Sequence, residues 1–148
     1  MTSISDDAVT MFAEGYNCAQ SVLTSCGQRL GLRDATAIAV AQALGGGLSR
    51  SGNVCGAVSG ALMAVGLKCS MKDAKDIAAK EEAYRLGREI LARFRAQHQA
   101  INCRDLLGFD VSTPEKYQEA VKAGVFKNLC PAFIKSAGQI AEDVLGIH

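Results

Sequence analysis

The sequence predicts an all-α fold, a compact single-domain bundle of six or seven helices over residues 1–148. Three observations carry this. Apolar residues recur at three- and four-residue spacing, and no segment alternates with period two for long. The hydrophobic fraction of 49% comes largely from Ala, Val and Leu, with five Phe, three Tyr and no Trp, and such small side chains suit close helix packing. A chain of 148 residues also suffices for one domain burying about 70% of its unfolded surface.

The elements follow in order. Ser5 is an N-cap candidate, with Asp6 and Asp7 supplying the acidic first turn. Val9, Phe12, Tyr16, Ala19, Leu23 and Cys26 then mark one helical stripe, with Cys18 on its flank, and Gly27 and Gly31 bracket the end. Asp34 opens a second helix, Ala35 to about Leu44, apolar on nearly every side and therefore expected to be buried. It stops at Gly45-Gly46-Gly47. A Ser/Gly/Asn turn leads into a third helix, about Val54 to Leu67, in which Gly56, Gly60 and Ala64 form a smooth face for close packing. At 14 residues this run is short of the ~20 that span a bilayer. Asp73 and Asp76 begin a long fourth helix reaching about Gln99. Glu81/Arg85, Arg85/Glu89 and Glu89/Arg93 pair on its wet face, with Ile77, Tyr84, Leu91, Phe94 and His98 opposite. Asn102 and Gly108 bracket a short turn carrying Cys103. Ser112-Thr113-Pro114 starts a helix that Gly124 ends, with Pro at the first helical position. The same logic puts Cys130 at the cap and Pro131 at the start of a last helix, Ala132 to Leu145.

Composition excludes several functions. Sixteen basic residues against fifteen acidic give a net charge of +1, and no basic stripe interleaves with aromatics, so nucleic acid is not an expected partner. The N-terminal segment lacks the basic and apolar regions of a signal peptide, which predicts a cytoplasmic protein. There the six cysteines, 18, 26, 55, 69, 103 and 130, are expected to be mostly reduced. No Cys-x-x-Cys occurs, so the thioredoxin motif, the zinc ribbon and the haem attachment site are absent. The triple glycine neither follows a strand nor leads into Lys-Ser/Thr, so it reads as a flexible or tightly packed turn and not as a phosphate loop.

Cysteine chemistry remains. Cys55, Cys103 and Cys130 fall at expected helix starts, where unpaired N–H groups favour a thiolate and lower its pKa. Cys55 is accordingly built like a reactive or ligating cysteine. Cys18 is expected within a helix, and Cys26 and Cys69 as structural residues. His98, five residues before Cys103, is either a base acting on that thiol or a hydrogen-bonded core histidine.

Tyr16-Asn17-Cys18-Ala19-Gln20, Gly45-Gly46-Gly47, Cys55-Gly56-Ala57-Val58-Ser59-Gly60, Cys103-Arg104-Asp105-Leu106-Leu107-Gly108 and the late Cys130 together resemble the redox-active family named for its C_GCAxxG_C_C cysteine pattern, over about residues 8–145. The resemblance implies four signature cysteines, Cys18, Cys55, Cys103 and Cys130, in a family often encoded beside transporters. A related module in split-Soret cytochromes implies an iron–sulfur role. Two mechanisms suit four thiols. Cys18, Cys55, Cys103 and Cys130 ligate an iron–sulfur cluster or Zn²⁺, or pairs of them cycle through a disulfide, with Cys55 and Cys103 as the redox residues. Either implies an electron-transfer partner. The alternative is a non-catalytic helical interaction or transporter-accessory module, with a homodimer as one form, whose cysteines are core residues or a structural zinc site.

Overall fold

The computed structural model describes residues 2–148. Among them are eight α-helices and no named strand: α1 (Ile4–Glu14), α2 (Cys18–Arg29), α3 (Asp34–Ala41), α4 (Gly56–Lys68), α5 (Ile77–His98), α6 (Cys103–Leu107), α7 (Pro114–Lys122) and α8 (Val125–Leu145). The all-α expectation holds. The extra helix arises because the first expected helix is two. Gly15 ends α1 at φ 115, a left-handed conformation that Gly adopts without steric cost. Asn17 then restarts the chain with a capping box: Gln20 N–H donates to Asn17 Oδ1 at 2.8 Å, and Asn17 N–H donates to Gln20 Oε1 at 3.0 Å. Ser3, not Ser5, caps α1, receiving Asp6 N–H at 3.1 Å.

Helix α2 is the axis of the molecule, packed by α1, α3, α4 and α8. Residues Ala19 to Gly27 are all buried, including Ser21, Thr24 and Ser25. Ser21 Oγ donates to Asn17 O at 2.8 Å, so its hydroxyl is satisfied within the helix. The closest approach is to α4. A Cβ on Gly56 would lie 2.9 Å from Ala19 N, and one on Gly60 would lie 3.0 Å from Ala19 O. The small face of α4 is thus what lets two backbones meet.

The apolar helix expected to be buried is not. In α3 only Ala37 and Ala41 face the core, and Val40 is 56% exposed. Burial follows position in the chain's packing, so the polar-flecked α2 is central and the more apolar α3 peripheral. On α5 the core face is Leu86, Gly87, Ile90 and Phe94, whereas Ile77 and Tyr84 are exposed. Its wet face pairs Arg85 with Glu82 at 2.5 Å instead of with Glu81, and Arg93 with Glu89 at 2.6 Å. Helix α8 starts at Gly124 and not at Cys130, so Pro131 lies inside it. No helix of the described residues is long and apolar enough to cross a membrane.

Candidate functional site: a four-thiol chamber

Cys18, Cys55, Cys103 and Cys130 come from four different helices, and three local features bring them to one place. Cys18 is the first residue of α2, directly after the Asn17 cap, so the third helix-start cysteine is Cys18 and not Cys130. The α2–α4 contact sets Cys18 against the N-terminus of α4, where a Cβ on Gly56 would be 3.1 Å from Cys18 Cβ. Cys55 caps α4, and Cys103 opens α6. These two are tied by backbone: Cys55 N–H donates to Ile101 O at 2.8 Å, Cys103 N–H to Asn53 O at 2.7 Å, and Val54 and Asn102 form an isolated antiparallel bridge between them. Cys130 arrives from the middle of α8, which packs on both α2 and α4.

The segment between α3 and α4 is the least ordinary backbone in the protein. Gly46, Gly47, Leu48, Ser49 and Arg50 all have positive φ, between 55 and 73. For the three non-glycine residues this left-handed conformation costs about 1–2 kcal/mol each. Internal hydrogen bonds hold it: Ser49 N–H to Ala43 O at 2.8 Å, Arg50 N–H to Gly45 O at 3.0 Å, and Asn53 N–H to Gly47 O at 2.9 Å. At Gly47 a Cβ would fall 2.5 Å from Asn53 O and 2.7 Å from Cys103 Cβ, so only glycine lets the turn close over the thiols. The triple glycine is a tightly packed turn.

The four sulfur-bearing side chains, with Phe126 and Phe133, line a cavity of about 20 Å³. That is room for about one water molecule. Cys55, Cys103 and Cys130 are buried, and Cys18 is half-buried. Cys18 also lines a second, open groove of about 680 Å³ between the 42–50 turn, α7 and the start of α8. Cys18, Gly46 and Phe126 line both spaces, so Cys18 is the chamber cysteine that borders the open groove.

Electrostatics separates the thiols. The low pKa expected for Cys55 is not found. Burial pushes it up to about 11, although the N–H groups of Ala57 and Val58 at the start of α4 bond its sulfur and oppose the rise. Burial also pushes Cys103 up to about 12, aided by repulsion from Cys55 and Cys130. Cys18 and Cys130 behave as a pair. The Cys18 thiol donates a hydrogen bond to the Cys130 sulfur, which together with burial raises Cys18 well above the ordinary thiol value. The same bond lowers Cys130 below it, against burial.

The other candidates lie elsewhere. Cys26 is fully buried among apolar side chains, which push it up to about 12. Cys69 follows α4 and packs half-buried against the core. His98 is a hydrogen-bonded histidine: its Nε2 meets Ser136 Oγ at 2.8 Å, and its ring lies 4.7 Å from Phe94 and 5.0 Å from Phe133. Burial lowers its pKa. Arg50 and Lys127, which line the groove over Cys18, carry no sequence motif and emerge only from the fold.

A metal centre does not fit this arrangement as folded. Among the described residues, no three His, Cys, Asp or Glu side chains are placed to hold one ion. The cavity also has less room than a cluster of several irons and sulfides requires.

No curated protein and no solved structure matches the chain. One family model does, across residues 16–144, from the capping turn before Cys18 through nearly all of α8, and so over all four chamber cysteines. The chain belongs to the C_GCAxxG_C_C family, described as "Putative redox-active protein".

Proposed function

We propose that the chamber is a thiol–disulfide redox centre in which Cys18 and Cys130 are the exchanging pair. The observation that carries this reading is geometric: Cys18 and Cys130 line one small cavity, and Cys18 also borders the open groove. Cys18 is the sulfur that a disulfide substrate reaches. As it attacks one sulfur of the substrate RS–SR, its proton passes to the Cys130 thiolate, and RS⁻ leaves. The product is the mixed disulfide Cys18–S–S–R. Cys130, now a thiol, attacks the Cys18 sulfur, and RSH leaves with the proton. The protein is oxidised by two electrons to the Cys18–Cys130 disulfide, and RSSR is reduced to RS⁻ and RSH. Cys55 and Cys103, whose thiols stay protonated at neutral pH, form the second couple of the chamber. The backbone clasp ties them to each other, and they share the cavity with Cys18 and Cys130, from which they take the oxidation inward.

A second reading, ligation of an iron–sulfur cluster or Zn²⁺ by Cys18, Cys55, Cys103 and Cys130, draws its support from four sulfurs on one cavity and from the N–H groups aimed at Cys55. It requires the chamber to open, so no step is derived through a metal.

Purification without oxygen, followed by a visible spectrum, metal analysis and thiol counts, tests the proposal. The expected protein is colourless, and on mild oxidation it loses two of its six thiols, with Cys18 and Cys130 joined in the peptide map. Broad absorbance with iron and labile sulfide overturns it in favour of the cluster. Six thiols that resist every oxidant overturn it in favour of a helical interaction module.

A further inference from the structure

We propose that the open groove over Cys18 is a substrate site for a small disulfide bearing negatively charged groups, such as carboxylates, on both arms. The inference rests on the thiol-exchange reading above and adds the chemical class of R. The groove, of about 680 Å³, falls in the size range of small-molecule sites. Cys18 lines both this groove and the thiol chamber, so a ligand in the groove meets the sulfur that leads inward.

The charge lining the groove has one sign. Arg50 and Lys127 are there, with Tyr16 and Tyr117, and the lining includes no Asp or Glu. Neither cation is in an ion pair among the described residues, so both are available to an incoming anion. Arg50 is also held in place. Its guanidinium carbon lies 3.7 Å from the centre of the Tyr117 ring, a cation–π contact that leaves the planar edge of the guanidinium for a carboxylate. Its backbone ends the run of five left-handed residues, a strained conformation of the kind that collects at sites. The same run contains Gly47, which closes over Cys103. One strained turn thus roofs the thiols and presents the cation.

The two cations also suit the chemistry. Attack releases RS⁻ into the groove, and an anionic R sets a second negative charge beside the leaving sulfur. Arg50 and Lys127 offset this charge for anionic arms and oppose cationic ones.

The test uses three disulfides that share a two-carbon spacer between sulfur and end group: 3,3′-dithiodipropionate (anionic), 2-hydroxyethyl disulfide (neutral) and cystamine (cationic). Each is mixed in excess with the reduced full-length protein at low ionic strength, and loss of the Cys18 and Cys130 thiols is followed. The expected order is anionic, neutral, cationic, with an anionic-to-neutral rate ratio of about tenfold or more that shrinks with added salt. Arg50→Gln and Lys127→Gln should each cut that ratio several-fold, and the double variant should bring it to about one or below. Using a ratio removes any change in intrinsic thiol reactivity. Equal rates for the three reagents, or a ratio unmoved by either variant, overturn the groove assignment while leaving thiol exchange standing. If none of the three forms the Cys18–Cys130 disulfide, the exchange reading fails and this inference fails with it.

Discussion

Cys26 and Cys130 are both buried, on helices that pack against each other, yet their chemistry is opposite. Cys26 on α2 lies in the apolar core, and burial is the main cause that pushes its thiol up to about 12, with Arg29 opposing and Glu142 adding to the rise. Cys130 on α8 is nearly as buried, but the Cys18 thiol donates to it and its pKa falls below the ordinary value. The difference teaches that enclosure raises a thiol and that a neighbouring thiol splits the outcome, raising one partner further and lowering the other. Helix position matters less: Cys55 and Cys103 stand at helix starts and are raised all the same. The surest way to break the comparison is to remove one partner from each region. Cys130→Ser removes the proton acceptor for Cys18, and disulfide exchange should fall by about 100-fold or more. Cys26→Ser should leave exchange within a factor of about two and act on stability instead, since it buries a hydroxyl in an apolar pocket at a cost of about 1–3 kcal/mol. Stopped-flow thiol loss and urea unfolding on both variants separate the two effects.

Much of this contrast was legible in the sequence, though not its mechanism. The structural reading of Cys26 and Cys69 followed from their lack of a helix-start setting, and the grouping of Cys18, Cys55, Cys103 and Cys130 followed from the family's words. The helical periods, the Gly56/Gly60 packing face and the Asn102–Gly108 turn were readable because each is a local signal. Asn17-x-x-Gln20 was also readable as a capping box, and with Gly15 before it would have divided the first helix and put Cys18 at a helix start. Pro131 misled, because proline is favoured at the first helical position but is accommodated inside α8 when packing on α2 and α4 holds that helix together. The pKa order of the thiols was not legible at all. It depends on which sulfurs face one another, a property of the packing of four distant segments.

The comparison sharpens through the turn that roofs one region and the contact that supports the other. Gly47→Ala forces a Cβ to within 2.5 Å of Asn53 O at a residue with φ 73, in a wall made of backbone. It should cost about 2–4 kcal/mol, combining left-handed strain with overpacking, and should uncover the chamber so that Cys103 becomes alkylated in the native protein. Gly60→Ala meets Ala19 O at 3.0 Å and Val22 Cβ at 3.1 Å on the buried side of α2. Its cost is set at about 1–3 kcal/mol by how far α2 and α4 move apart, with exchange kinetics retained. Thermal unfolding and mass-spectrometric alkylation distinguish the two glycines.

Alkali tests the raised thiols. Cys26 and Cys55 have folded pKa values of about 12 and about 11, against 9.0 when unfolded. Their protonated forms favour the folded state fully below pH 9, and that stability is lost as pH rises toward the folded values, because the unfolded chain releases the protons first. The slope is about 1.4 kcal/mol per pH unit for each such thiol above pH 9. Urea unfolding at pH 8, 9 and 10 should show the decline, and Cys26→Ala should make it shallower by roughly one thiol's share.

The smallest effect belongs to the wet face of α5, and it guards the interpretation of the alkaline experiment. Arg85 meets Glu82 at 2.5 Å, with both side chains about half exposed. A pair in that setting is screened by water and salt and spends side-chain entropy to form. Glu82→Gln removes the carboxylate whose pKa Arg85 holds below its ordinary value. That shift lies on the acid side, so it has no bearing above pH 8. The variant should therefore unfold at the wild-type urea midpoint at pH 8, 9 and 10 alike. A gap between the Glu82→Gln and wild-type midpoints that widened from pH 8 to 10 would mean that surface charge contributes to the alkaline slope, and the slope would then no longer count the buried thiols.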